Sequence, residues 1–139
     1  MMQTIGIVGL GTMGLGIAQV FAQAGFATIA TDAHAPARDT ARARMDHALT
    51  ARVTAGKLTP DARDATLSRL VVVDDLAGLA PCALVIEAIV ERLDAKRGLI
   101  AALESIVAPD AVLATNTSSI PVAAMAQGAQ HPGRILALH

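Results

Sequence analysis

Residues 5–32, IGIVGLGTMGLGIAQVFAQAGFATIATD, decide how the chain is read. Thr4 to Val8 is a short apolar run that stops on glycines, the pattern of a strand buried on both faces. Met13, Ile17, Val20, Phe21 and Ala24 then recur at helical spacing until Gly25 ends the helix. Ala27 to Thr31 reads as a second buried strand, and it ends in an acid, Asp32. Met1 to Thr31 carries no charge, yet it is neither a signal peptide nor a membrane span. No basic residue precedes the apolar run. A span needs about 20 mostly apolar residues in one helix, whereas Gly6, Gly9, Gly11, Gly14, Gly16 and Gly25 punctuate this one.

The glycines spell GxGxxG as Gly9-Leu10-Gly11-Thr12-Met13-Gly14. Alone, that pattern is compatible with an ordinary turn. Here it follows a strand, opens a helix, and is followed by a second strand ending in Asp32, 18 residues after Gly14. That context describes a dinucleotide site. Gly9 permits the tight turn, Gly11 lets the backbone approach a pyrophosphate, and Gly14 lets the helix pack closely. Thr12 and Met13 sit in the same turn and join the cofactor-binding set. The helix start supplies free N–H groups and a positive dipole end to phosphates. Asp32 can accept hydrogen bonds from both ribose hydroxyls and repels a 2′-phosphate, while Ala33 offers no positive charge, so the reading is NAD rather than NADP.

Outward from this unit, strands and helices keep alternating. Pro36 to Ala55 is an amphipathic helix with Ala41, Met45, Leu49 and Val53 opposite Arg38, Arg42 and Asp46. Thr59 and Pro60 open a short helix to about Arg69. Leu70–Val73, Ala83–Ile86, Ala111–Ala114 and Arg134–Leu138 read as strands, with helices over Leu93–Val107 and from Pro121 to about Gln127. The expectation is an α/β, Rossmann-type doubly wound parallel sheet of six strands, with at least four flanking helices. Residues 1–139 make one domain, and ending on a strand reads as truncation. The 53% apolar composition with 1% aromatics implies an aliphatic core, and the net charge of -1 gives no reason to expect nucleic acid or an anionic membrane as partner. Cys82, the only cysteine, excludes an internal disulfide, and no Cys/His cluster suggests a metal. A soluble, cytoplasmic protein is expected.

Three further groups carry chemistry. Glu87 to Lys96 follows the fourth strand, where ligands bind in parallel sheets. Glu87, Glu91 and Lys96 there are either functional or merely solvated charges. Asn116-Thr117-Ser118-Ser119 can orient a hydroxyl or carbonyl group, or can cap the helix that follows. His139 ends the last strand, as a general base or as a frayed end. His34, His47 and His131 read as exposed and without a role.

IGIVGLGTMGLGIAQVFAQAGF, LVIEAIVERLDAKRGL, LATNTSSIPV and RILALH, in this order and spacing, resemble the NAD-binding domain of L-3-hydroxyacyl-CoA dehydrogenases, including the 3-hydroxybutyryl-CoA and 3-hydroxyadipyl-CoA enzymes. The GKLTPDARDATLSRL segment resembles the family's helical insertion. The resemblance implies oxidation of a 3-hydroxyl to a 3-ketone with hydride transfer to NAD, as in fatty-acid β-oxidation. It implies that Asp32 binds the adenosine ribose, that Ala88, Glu91 and Lys96 lie along the cofactor, and that Asn116 sits near the nicotinamide. Ser118 would hydrogen-bond the substrate's 3-oxygen, and His139 would be the catalytic base. It further implies an acyl-CoA substrate and a homodimer, with a helical second domain, which this sequence lacks, carrying most of the dimer contacts and closing over the acyl-CoA. The 139 residues alone are therefore expected to bind NAD without turnover. A β-hydroxyacid dehydrogenase shares the GLGxMG opening, but Asp32-Ala33 and NTSS replace that group's Asn-Arg pair and glycine-rich segment. A non-catalytic NAD-binding module is the other alternative.

Overall fold

The computed structural model describes residues 3–117 and 119–138. Ser118 and His139, the two expected catalytic residues, lie outside the described residues. Six strands, β1 (Ile5–Val8), β2 (Thr28–Thr31), β3 (Leu70–Val72), β4 (Leu84–Glu87), β5 (Val112–Thr115) and β6 (Ile135–Ala137), form one sheet ordered β3-β2-β1-β4-β5-β6. Every pairing is parallel, with Ile7 level with Ala30 on one side and Ile86 on the other. The order reverses between β1 and β4. Five α-helices cover the sheet: α1 (Thr12–Gln23), α2 (Ala35–Thr54), α3 (Pro60–Ser68), α4 (Leu93–Glu104) and α5 (Val122–Ala126).

Alternation along each strand feeds two separate aliphatic cores, because successive side chains leave opposite faces of a sheet. Ile5, Ile7, Ile86 and Ala114 join Leu15, Ala18, Ala41, Met45 and Leu49 from α1 and α2. Val8, Val85 and Leu113 join Ile100, Leu103 and Met125 from α4 and α5. Strands that serve both faces need unbroken apolar runs, which is what the sequence supplies. Among the described residues no helix is long and apolar enough to cross a membrane.

Several expectations shift. Met13 and Val20 of α1 are 61% and 65% exposed, whereas Ile17 and Phe21 pack against the core as expected, beside a buried stripe of Gly14, Leu15, Ala18 and Ala22. Helical spacing admits both stripes; the close approach allowed by small residues decides between them. α4 stops at Glu104, three residues short of Val107, because Ser105 and Ile106 N–H turn to carbonyls three residues back. α5 is five residues, with Pro121 as its N-cap rather than its first helical residue. A 3₁₀ turn at Leu76–Leu79, capped by Asp75, was not anticipated. β4 is displaced by one residue and includes Glu87. By contrast, Thr59 caps α3 as expected, its Oγ1 accepting from Ala62 N–H at 3.1 Å.

Candidate functional site

The functional candidates among the described residues gather at the carboxyl ends of the strands, on either side of the point where strand order reverses. This is where open α/β sheets bind ligands. Gly9 turns the chain out of β1 with φ +105°, and a Cβ there would lie 2.5 Å from Ala88 O. A Cβ on Gly14 would lie 1.7 Å from Gly9 O. Both glycines are therefore required by the protein's own packing, which presses α1 onto the turn. Gly11 differs: it is exposed, and a Cβ there would meet no protein atom within 4 Å. Nothing among the described residues demands glycine at 11 on steric grounds. Thr12 and Met13, both exposed, open α1, whose first turn carries no side-chain cap to occupy its N–H groups.

Leu10 is held from both ends. Its N–H donates to Asp32 Oδ2 at 2.6 Å, and its carbonyl accepts from Arg44 Nη2 at 2.7 Å. Asp32 Oδ1 accepts from His34 N–H at 2.8 Å. Each carboxylate oxygen keeps a further lone pair for a ribose hydroxyl. Beside it opens a cleft of about 690 Å³, lined by Gly9, Asp32, Ala33, Arg38, Ala88 and Ile89 among others, with Leu76, Val90 and Leu99 supplying apolar walls. Arg38 and Arg42, expected on a solvated helix face, are instead engaged. Arg38 Nη1 donates to Asp32 O at 2.7 Å, and Arg42 donates to the Leu67 and Leu70 carbonyls.

The second group forms a connected polar cluster rather than a set of solvated charges. Glu87 and Lys96 are buried, with side chains 5% and 0% exposed, and Lys96 Nζ lies 2.6 Å from Glu87 Oε1. Glu87 also accepts from Ile89 N–H at 3.0 Å and from the Thr115 hydroxyl. Lys96 Nζ reaches Glu91 Oε1 at 3.0 Å. Glu91 receives two hydroxyls as well, from Thr117 and from Ser119 at 2.7 Å. These hydrogen bonds, with Thr117 contributing most, then Ser119, then Lys96, lower the Glu91 pKa to about 2. A carboxylate that accepts three donors is stabilised in its charged form.

Among the described residues the Asn-Thr-Ser-Ser segment does not cap α5, whose N-cap Pro121 makes no side-chain hydrogen bond; Thr117 and Ser119 tie into the polar cluster instead. Thr117 Oγ1 accepts from Ile120 N–H at 3.2 Å, closing a local turn ahead of α5, while its own proton goes to Glu91. Asn116 is half-buried at the head of this segment, its N–H on Glu87 O at 2.9 Å. Ala88 bridges the two halves, since its N–H donates to Val8 O at 2.8 Å and its carbonyl abuts Gly9. Sequence reading missed Thr115, Arg38 and Arg44; each looked like ordinary strand or helix polarity, and only tertiary placement distinguishes them. His34, His47 and His131 are exposed, as expected.

Comparison with known proteins identifies the family. Residues 4–139 match the family described as 3-hydroxyacyl-CoA dehydrogenase, NAD binding domain. The chain is 43% identical to 3-hydroxyadipyl-CoA dehydrogenase of Escherichia coli K12, over 99% of its own length and 29% of that enzyme's. It is 42% identical to 3-hydroxybutyryl-CoA dehydrogenase of Mycobacterium tuberculosis H37Rv, over 99% of its own length and 48% of that enzyme's. The crystal structure of 3-hydroxybutyryl-CoA dehydrogenase from E. coli K12 superposes with a TM-score of 0.96 at 42% identity, covering 100% of this chain and 29% of that one. The chain therefore spans under half the length of these relatives, and the part it spans is the one whose cofactor is NAD. It belongs to the 3-hydroxyacyl-CoA dehydrogenase family, as the NAD binding domain.

Proposed function

We propose that this domain serves an enzyme that oxidises the 3-hydroxyl of an L-3-hydroxyacyl-CoA to the 3-ketone. The observation that carries the reading is the meeting, at one crest of the sheet, of a glycine turn with Asp32 and a buried acid–base cluster with Asn116. Gly9, Gly11, Thr12, Met13 and Gly14 cradle the pyrophosphate, and Asp32 takes the adenosine ribose. Ala88, Glu91 and Asn116 line the path toward the nicotinamide. Lys96, wholly enclosed by Glu87 and Glu91, acts on the cofactor through Glu91, by fixing that carboxylate's position and charge. Bound NAD supplies the hydride acceptor for the substrate's C3 hydrogen. Ser118 hydrogen-bonds the 3-oxygen, and His139 takes the hydroxyl proton, a contribution of about 10²–10⁴ in rate when the base is held in reach.

The acyl-CoA, a homodimeric assembly, a cytoplasmic setting and a place in β-oxidation belong to the same reading. The relatives' names support the acyl-CoA. The 139 residues by themselves bind NAD without turnover, because they span under half the length of the relatives named for the activity. Formation of NADH from (S)-3-hydroxybutyryl-CoA, assayed with a chain carrying this domain at full family length, tests the proposal. Loss of at least a hundredfold in kcat on His139→Ala is expected. Undiminished turnover in that variant would remove His139 from its role.

A further inference from the structure

Asp32 faces the ribose, but it is not alone there. Arg38, one turn into α2, lines the same cleft and donates from Nη1 to the Asp32 carbonyl at 2.7 Å. Its side chain is only 20% exposed, and its Nε is sealed from solvent with no hydrogen-bond partner among the described residues. The acid nearest to it, Asp74, stands 4.0 Å from Nε with a fully exposed side chain, so solvent screens most of that attraction. Asp75 is committed to capping the 3₁₀ turn through Ala77 N–H. A guanidinium is thus fixed against the backbone of the residue that reads the ribose, poorly matched by the carboxylates near it.

We propose that Arg38 is a second determinant of cofactor choice: a cation placed to receive a ribose 2′-phosphate, so that Asp32 alone holds the site against NADP. The inference rests on the cleft being the adenosine end of the NAD site. The physical reason is that discrimination at this position is a contest between one acid and one base. The acid accepts from a 2′-hydroxyl and repels a 2′-phosphate, while an arginine nearby accommodates that phosphate. Arginine also offers a planar fork suited to phosphate oxygens. Where a chain carries only the acid, NADP is excluded strongly. Here both are present, a few atoms apart, and the exclusion is correspondingly shallow.

The test is calorimetric titration of NAD and NADP against the chain and against Asp32→Asn, Arg38→Ala, Arg38→Lys and the double variant Asp32→Asn/Arg38→Ala. Asp32→Asn is expected to tighten NADP at least tenfold relative to NAD. Adding Arg38→Ala should cancel at least fivefold of that gain. In the single variants, Arg38→Ala should raise the NADP-to-NAD ratio of dissociation constants at least fivefold, with Arg38→Lys returning it most of the way. Parallel weakening of both cofactors by Arg38→Ala would overturn the proposal, since it would make Arg38 a wall of the site with no preference for phosphate. So would an unchanged ratio. If Asp32→Asn leaves the ratio where it was, the fault lies instead with the placement of the ribose at Asp32. Thermal melting of each variant separates these outcomes from loss of the fold.

Discussion

The two ends of the crest solve the problem of holding charge in opposite ways. At the β1–β2 end, Asp32 is half-exposed and its partners are backbone amides of Leu10 and His34. At the β4–β5 end, Glu87 and Lys96 are out of solvent and satisfied by side chains from three elements: β4, α4 and β5. The first arrangement is open, and its groups remain free to change partners when a ligand enters. The second is closed and fixes one geometry, since a buried charge without its partner is costly. Under the proposed function the difference assigns tasks: the open end would read the ligand, and the closed end sets the position of Glu91 and the Asn116–Thr117 segment.

Removing one member of the closed cluster is the largest perturbation. Lys96→Met keeps the side-chain length but leaves Glu87 buried and uncompensated, and should cost about 3–5 kcal/mol of stability. Pairing it with Glu87→Gln should recover most of that loss, because no charge then remains buried. Urea unfolding of both variants measures it; a loss under 1 kcal/mol for Lys96→Met would show that the pair is not sealed from solvent.

Gly14→Ala tests the open end, where the constraint is steric. The Cβ would collide with Gly9 O, so α1 must shift away from the turn, at about 1–3 kcal/mol. Gly11→Ala, meeting nothing in the protein, should leave stability within about 0.5 kcal/mol or slightly raise it while weakening NAD. If Gly11→Ala destabilises as much as Gly14→Ala, the distinction drawn between the two glycines is wrong.

The smallest effect is in the pH dependence. Glu91 titrates near 2 in the folded chain against an ordinary 4.5, so its folded form holds the proton less tightly than the unfolded one. Its stabilising contribution is complete above about 4.5 and is lost as the pH falls toward 2. Thr117→Val removes the principal donor and should raise the Glu91 pKa, moving this loss to higher pH. NMR titration of the Glu91 side chain reads the shift directly, and an unmoved pKa would discount Thr117 as its cause.

The same contrast explains what was legible in the sequence. Gly9, Gly14 and Asp32 sit within one β-α-β unit, where each residue's task follows from a turn, a helix start or a strand end a few residues away. Strand alternation and the Thr59-Pro60 helix start were readable for the same reason. Glu87, Glu91 and Lys96 were not, because the two acids that hold Lys96 depend in turn on Thr115, Thr117 and Ser119, more than twenty residues further along than either acid. Nothing local tells a buried lysine on an amphipathic helix from an exposed one. Arg38 likewise looked like a solvated face, since helical periodicity marks the side away from the core but not what else lies there.

The central claim is that these residues form an NAD site with its adenosine end at Asp32. Calorimetric titration of NAD into the 139-residue chain and into Asp32→Ala tests it most directly. The account predicts saturable one-to-one binding by the chain, and a loss of about 1.5–3 kcal/mol in the variant, the range for hydrogen bonds to a charged group. Equal affinity of the two proteins for NAD would contradict it.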